Sequence, residues 1–196
     1  MTTDRFATHD LIALDVHGVV FNNPLPYFLG EIGRRTGVGA NRLKRHWRTT
    51  WRVPFWEGRI SEAEMWAGIA PGLDPTELRA DLESRYRPGP WFDIVTDHDG
   101  PIWLLSNHRT DWLLPRLERF GIIDRFERIL VSDALGAAKP SPEAFAPLLP
   151  LGEIAYFDDS ARNVDAARAL GLAASLVTES AFAGTVDSSN APAAQS

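Results

Sequence analysis

Five short apolar runs, at about residues 11–16, 101–106, 128–132, 153–157 and 172–177, dominate the patterning of this chain. The last four are separated by single segments of helical spacing, 110–120 (TDWLLPRLERF), 141–149 (SPEAFAPLL) and 160–170 (SARNVDAARAL). Strand, helix and strand in repeating order predict a parallel sheet, because a parallel neighbour is reached only through a crossover long enough to hold a helix. The expected fold class is α/β, a doubly wound parallel sheet. Gly121 and Gly171 follow two of the helical segments and read as their C-terminal glycines. Pro115 reads as a proline early in its helix, where a missing N–H costs least.

Between the first and second runs the alternation breaks, and about eighty residues intervene without a strand pattern. Helical spacing covers 26–36 and 41–52, and Ser61 with Glu64 forms a capping box for a helix over 61–69. Asp74-Pro75-Thr76-Glu77 opens a further helix with cap, proline and acid in their preferred places. The PGP at 88–90 reads as an exit hinge, and WFDIVTDH leads back to the sheet. The expected organisation is a core of 1–21 and 91–179, an inserted α-helical cap over 22–90, and a small, polar, disordered tail over 180–196.

A chain of 196 residues can bury one full core and carry one sizeable insertion. No apolar run approaches the roughly eighteen residues that span a bilayer, and MTTDRFATHD lacks the pattern of a secretory signal. The expected location is therefore cytoplasmic, with no membrane partner. The absence of cysteine excludes disulfides and thiol chemistry and leaves oxygen or histidine to hold any metal. A net charge of −6 weighs against a nucleic-acid surface.

The residues with chemical potential gather at the predicted strand ends. Asp15 with His17, Ser106 with Asn107, the segment ending in Lys139-Pro140, and Asp158-Asp159 each follow an apolar run. In an open parallel sheet such positions converge on one crevice. Asp15 and His17 are two apart, so in extended chain they project to the same side. Three carboxylates brought together repel one another unless a cation or proton relieves them, and Mg²⁺ together with Lys139 is the simplest resolution.

The order Asp15…Ser106…Lys139…Asp158-Asp159 resembles the haloacid dehalogenase (HAD) superfamily of hydrolases. LLSNH at 104–108, SDALGAAKPSPEAF at 132–145 and YFDDSARNVDAARALG at 156–171 are similar to its second, third and fourth motifs, in order. The resemblance implies a HAD-like, Rossmann-like core with a mobile cap inserted after the first motif. It also implies Asp15 as the nucleophile that forms an aspartyl-phosphate, with Ser106, Asn107 and Lys139 binding the transferring phosphoryl group. Mg²⁺ would be held by Asp15, the His17 carbonyl and the acids of the 158–159 pair, with Asn163 in support. The implied reaction is hydrolysis of a small phosphorylated metabolite.

Where most phosphatases of the superfamily carry a second aspartate as acid and base, this chain has His17. Nearby carboxylates and a phosphate dianion would favour its protonated form and Mg²⁺ would oppose it, so His17 is either a working general acid or the mark of a slow or non-hydrolytic relative. Two other readings follow from the same resemblance. One is a fold-retaining binding or regulatory protein attenuated by the loss of that aspartate. The other is a 2-haloacid dehalogenase, an activity that needs no metal. The basic stretch RLKRHWRTTWR at 42–52 reads as a packed ridge of Leu43, Trp47 and Trp51 with Arg45, Arg48 and Arg52 on a solvated face, or alternatively as a substrate-recognition face of the cap. Among the remaining histidines only His108, beside the second motif, is placed near the site.

Overall fold

The computed structural model describes residues 11–152 and 154–178. The expected tail over 180–196 lies outside the described residues. Five parallel strands form one sheet in the order β3-β2-β1-β4-β5: β1 Leu11–Leu14, β2 Ile102–Ser106, β3 Arg128–Val131, β4 Ile154–Asp158 and β5 Ala173–Leu176. Each coincides with one of the five apolar runs to within two residues. β1 lies at the centre, with Leu14 opposite Leu104 of β2 and Phe157 of β4. Asp15, Ser106 and Asp158 therefore emerge side by side at the carboxyl ends of three adjacent strands. The order reverses at β1, which opens a crevice at that edge.

Alternation along the strands divides the core between the two faces. Ile12, Leu14, Ile102, Leu104, Ala155 and Phe157 join the larger apolar cluster, while Ala13, Trp103, Leu105, Ile154 and Tyr156 join the smaller. Strands buried on both faces read as continuous apolar runs, as these do. Beyond β3 lies the short α8 (Ser132–Leu135), and the smaller cluster is closed by Phe145 of α9 (Pro142–Phe145) and by Val164 and Ala167 of α10 (Ala161–Ala169). α9 is shorter than the helix expected over 141–149, because Pro147 has no N–H to continue the ladder beyond Phe145.

On the opposite face lie α6 (Phe92–Asp97) and α7 (Thr110–Arg119). α6 is the WFDIVTDH segment, too short for its periodicity to show in sequence. Pro115 sits in the middle of α7 rather than at its start. The carbonyl that its missing N–H would have bonded, that of Asp111, instead accepts from the Arg79 guanidinium at 3.1 Å. Gly121 and Gly171 take positive φ angles of 68° and 86° just beyond α7 and α10, as helix C-terminal glycines do.

Between β1 and α6 the helices are α1 (Leu25–Arg35), α2 (Ala40–His46), α3 (Arg52–Trp56), α4 (Glu62–Ile69) and α5 (Pro75–Ser84). The Ser61–Glu64 capping box and the Asp74 cap both form. The insertion leaves and rejoins the sheet through two segments bonded to each other: Asn22 N–H to Arg87 O at 3.1 Å, Gly89 N–H to Val20 O at 2.8 Å and Trp91 N–H to Val19 O at 2.9 Å. Its helices meet α7 through an aromatic seam in which Trp112 packs on Phe55, Trp56 and Trp66, with ring centroids 5.2–6.1 Å apart. Trp112 also donates its indole N–H to Glu62 at 2.9 Å. One apolar cluster runs from the sheet into the insertion, so the two share a packed interior.

The basic stretch is not one regular helix. α2 and α3 are joined by a π-helical turn, Trp47–Trp51, in which the Arg52 N–H bonds the carbonyl of Trp47. Leu43 and Trp47 are buried as expected, whereas Trp51 is only half-buried, packs against Gly68, and donates its indole N–H to His46 at 2.9 Å.

Candidate active site

At the end of β1 the Asp15 N–H bonds the Phe157 carbonyl at 2.8 Å, which ties the strand end to β4. The chain then turns back within a few residues, with Val20 and Phe21 N–H both on the Val16 carbonyl and Gly18 N–H on Phe21 O at 2.6 Å. Gly18 answers two demands at once. Its φ of +84° is costly for any side chain, and a Cβ there would lie 2.0 Å from Asp159 Oδ2. The glycine lets Asp159 come down onto the end of β1.

Lys139 is the centre of the site and is almost wholly buried. Its ammonium reaches Asp15 Oδ1 at 2.8 Å, Asp158 Oδ2 at 2.9 Å, Tyr156 OH at 2.9 Å and the Leu105 carbonyl at 2.6 Å. Burial opposes its charge, but the two carboxylates win and raise its pKa. The lysine is positioned by Asn107, whose amide oxygen accepts from Lys139 N–H at 2.7 Å and whose amide nitrogen donates to Lys139 O at 2.8 Å. Both ends of Asn107 are thus engaged in bracketing the lysine, and the residue also lines the cleft. Ser106 Oγ is buried at the end of β2 without a hydrogen-bond partner among the described residues.

Asp15, Asp158 and Asp159 can each offer one oxygen to a common point, those atoms lying within 4.8 Å of one another. Their situations differ. Asp158 is fully buried and saturated, accepting from Lys139, Tyr156, Ser160 N–H at 2.8 Å and Asn163 at 3.0 and 3.1 Å. Those donors, the Lys139 charge foremost, hold its pKa low despite burial. Burial lifts the Asp15 pKa from 3.8 to about 7, with Asp158 and Asp159 adding to the rise and Lys139 opposing it. Asp159 is lifted to about 6 by burial and by Asp158. Two carboxyls that resist ionisation, beside a third that is ionised, form an all-oxygen donor set with excess negative charge, which fits a hard divalent cation.

His17 lies on the other side of β1's end, in a second network. Its Nε2 is 2.8 Å from Arg116 Nη1, and since arginine only donates, that nitrogen accepts and the ring's proton is on Nδ1. Arg116, fully buried, is forked by Glu83, lies 3.4 Å from the Tyr86 ring centroid and also approaches His108 Nε2 at 3.4 Å. His108 Nδ1 is 3.0 Å from the Arg109 carbonyl, so it donates there and likewise accepts from Arg116. The two imidazoles stack at 4.7 Å. Burial, then Arg116 and Lys139, push the His17 pKa well below its ordinary value. The charge facing its Nε2 is a cation rather than a carboxylate.

No protein-family model matches the chain, and no curated protein matches it in sequence. Solved structures do. A HAD family enzyme of Bacteroides thetaiotaomicron, in complex with magnesium and inorganic phosphate, superposes with a TM-score of 0.67 at 18% identity, over 91% of this chain and 96% of that one. The L-2-haloacid dehalogenase of Xanthobacter autotrophicus, with chloropropionic acid covalently bound, gives 0.62 at 18% identity, over 92% and 85%. A HAD phosphatase from Thermococcus onnurineus gives 0.59 at 17%, over 90% and 89%. The chain has the HAD fold.

Within the HAD fold, Asp15, His17, Asn107, Lys139, Asp159 and Asn163 line one cleft at the strand ends, and His108 joins them. Ser106 and Asp158 lie buried beneath it. Sequence reasoning missed three participants. Tyr156 sits two residues before Asp158, so strand alternation carries both to the same side, a signal that was available. Arg116 occupies the buried stripe of α7 with Trp112, Leu113 and Leu117, and a lone charge on an apolar stripe is such a signal too. Glu83, contributed by α5, carried none.

Proposed function

We propose that this HAD-fold chain is a Mg²⁺-dependent phosphohydrolase that acts on a small phosphorylated metabolite through an aspartyl-phosphate at Asp15. The observation that carries the reading is the buried Lys139 ammonium, held at 2.8 Å from Asp15 and 2.9 Å from Asp158 beneath a cleft that Asp159 also lines. Asp15 Oδ attacks phosphorus, the bond to the leaving oxygen breaks, and water then attacks the acyl-phosphate phosphorus to release inorganic phosphate and restore the carboxylate. Lys139 fixes the nucleophile's orientation and offsets its charge. The unpartnered Ser106 hydroxyl is suited to a phosphoryl oxygen. Asp15 and Asp159 would hold the cation, with Asp158 as their fixed support; when bound, Mg²⁺ neutralises the carboxylates and charge developing on the phosphoryl oxygens. The helices over 22–90 act as the cap of the site. The three-carboxylate cluster supports this reading over a metal-free dehalogenase.

A second reading, a binding protein with slow turnover, is favoured by one observation: His17 Nε2 is occupied by Arg116. A histidine so held gives no proton from that nitrogen to a departing alkoxide. Leaving groups that depart without a proton are then the better substrates. The test is phosphate release from nitrophenyl phosphate and from an alkyl phosphate, with and without Mg²⁺. Mg²⁺-dependent release abolished by Asp15→Asn supports the enzyme; phosphate binding without release from either compound supports the second reading.

A further inference from the structure

The cleft above Asp15 and Lys139 has a volume of about 730 Å³, far more than one phosphate fills, and its outer wall is basic. Lys44, Arg45, Arg48 and Arg52 line it from the inserted helices, and Arg162 lines it from the first turn of α10. Elsewhere the protein pairs its confined arginines: Arg79, Arg85 and Arg116 each meet a glutamate. Arg48, Arg52 and Arg162 form no ion pair and no side-chain hydrogen bond among the described residues. The charges that act on half-buried Arg52 are those of Arg162 and Arg48, and both oppose its own. Three guanidiniums thus converge on open space from two parts of the molecule.

The π-helical turn is part of the arrangement. In a regular helix residues five apart lie about 140° around the axis from each other. The i→i+5 bond from Trp47 O to Arg52 N–H brings these two toward one line, and both line the cleft. The tryptophan is buried against the core while the arginine reaches the space in front of it.

We propose that the substrate carries a second anionic group, which binds between Arg48 and Arg52 of the inserted helices and Arg162 of the core. The first group, at Asp15 and Lys139, is a phosphate on the reading above, on which the proposal rests. A guanidinium fork matches a phosphate or carboxylate in two-point geometry, and an oxyanion between the arginines replaces their mutual repulsion with charge-assisted hydrogen bonds. The substrate class is a small molecule with anionic groups at both ends, either a bisphosphate or a phosphorylated acid. Its far end would join cap to core while its near end reacts.

Calorimetric titration of the full chain carrying Asp15→Asn, in Mg²⁺, with glucose 6-phosphate, glucose 1,6-bisphosphate and 6-phosphogluconate tests this. The doubly anionic probes are expected to bind about tenfold or more tightly than the monophosphate. The order of bisphosphate and phosphogluconate tells which second anion the arginines prefer. Arg52→Ala and Arg162→Ala should each collapse that preference, and Arg52→Lys should restore part of it. Equal affinity for probes with one and with two anionic groups, absence of binding by those with two, or a preference that survives both alanine variants overturns the proposal. Phosphate release from the same compounds by the unsubstituted protein reports on the reaction separately. Preference without release keeps the subsite and removes the phosphatase; release without preference does the reverse.

Discussion

Two buried cations flank the end of β1, and they are not equivalent. Lys139 faces two carboxylates, Asp15 and Asp158, and a phenol, so its surroundings remain negative after pairing. Arg116 faces Glu83, which Arg79 and Arg119 also approach, and two imidazoles that accept from it, so its surroundings hold no spare negative charge. The first network has charge left over for a cation and a cleft to admit one. The second is closed: each of its histidines is held neutral, and its fork reaches from α7 to α5 in the insertion. On the proposed function one side of the strand end reacts, and the other holds the insertion against the core. His17 falls on the holding side, two residues from the aspartate on the reacting side.

The sharpest break between the two sides is expected in turnover. Asp15→Asn should abolish phosphate release, a loss on the order of 10⁴-fold or more, as for other nucleophile removals, while the fold survives because Asp158 still pairs with Lys139. Measurable release by this variant would remove Asp15 from the reaction.

The next effect is on stability. Arg116→Met takes the fork from Glu83, which Arg79 still meets at 3.4 Å, so the cost is that of lost charge-assisted hydrogen bonds, about 1–3 kcal/mol. The melting temperature should fall by roughly 2–12 °C at this chain length. Glu83→Gln, which keeps the shape, should cost less. An unchanged melting temperature in Arg116→Met would show that the second network holds nothing.

pH separates the networks a third way. Asp15 and Asp159 titrate near 7 and 6 in the fold, against 3.8 for the ordinary carboxyl. Their raised values mean that the native chain binds more protons than the unfolded one across that window, so their contribution to stability is full below about pH 4 and is lost as pH rises through 6 to 7. The cation-free protein should therefore lose stability between pH 5 and 8, and added Mg²⁺ should raise its melting temperature more at pH 8 than at pH 5. Asp159→Asn should flatten both responses. A Mg²⁺ effect independent of pH would mean that the cation is not held by these acids.

The smallest effect is expected at His17. A working general acid contributes about 10²–10⁴-fold on substrates whose leaving group needs a proton. With Nε2 committed to Arg116, His17→Ala should change the ratio of alkyl to nitrophenyl phosphate turnover by less than about tenfold. A change of 10² or more would return His17 to the reacting side.

The legible parts of this protein share a property: their signal is local. Leu11–Leu14 and Ile154–Asp158 announce themselves as strands by apolar character alone, the Ser61–Glu64 box by its spacing, and the cluster of Asp15, Lys139 and Asp158 by motif order at strand ends. α6 was not legible because six residues hold too little periodicity, and α9 ended early because Pro147 counts for more than the apolar residues around it. At 42–52 the helical wheel presupposed a regular helix, and the π turn changed which residues share a face.

The sequence by itself determined the alternation, and with it the parallel sheet and the convergence of acids and lysine at one edge, since strand and helix periods and chain connectivity leave few other arrangements. Only the tertiary structure decided what each group is free to do. Asp158 and Asp159 are neighbours of the same type, yet five donated hydrogen bonds saturate one and Gly18 leaves room for the other. His17 stands two residues from a carboxylate that would charge it, yet burial and a guanidinium 99 positions away keep it neutral. Ionisation depends on the field of every charge within several ångströms and on the water excluded between them, and those neighbours are assembled by folding from distant parts of the chain.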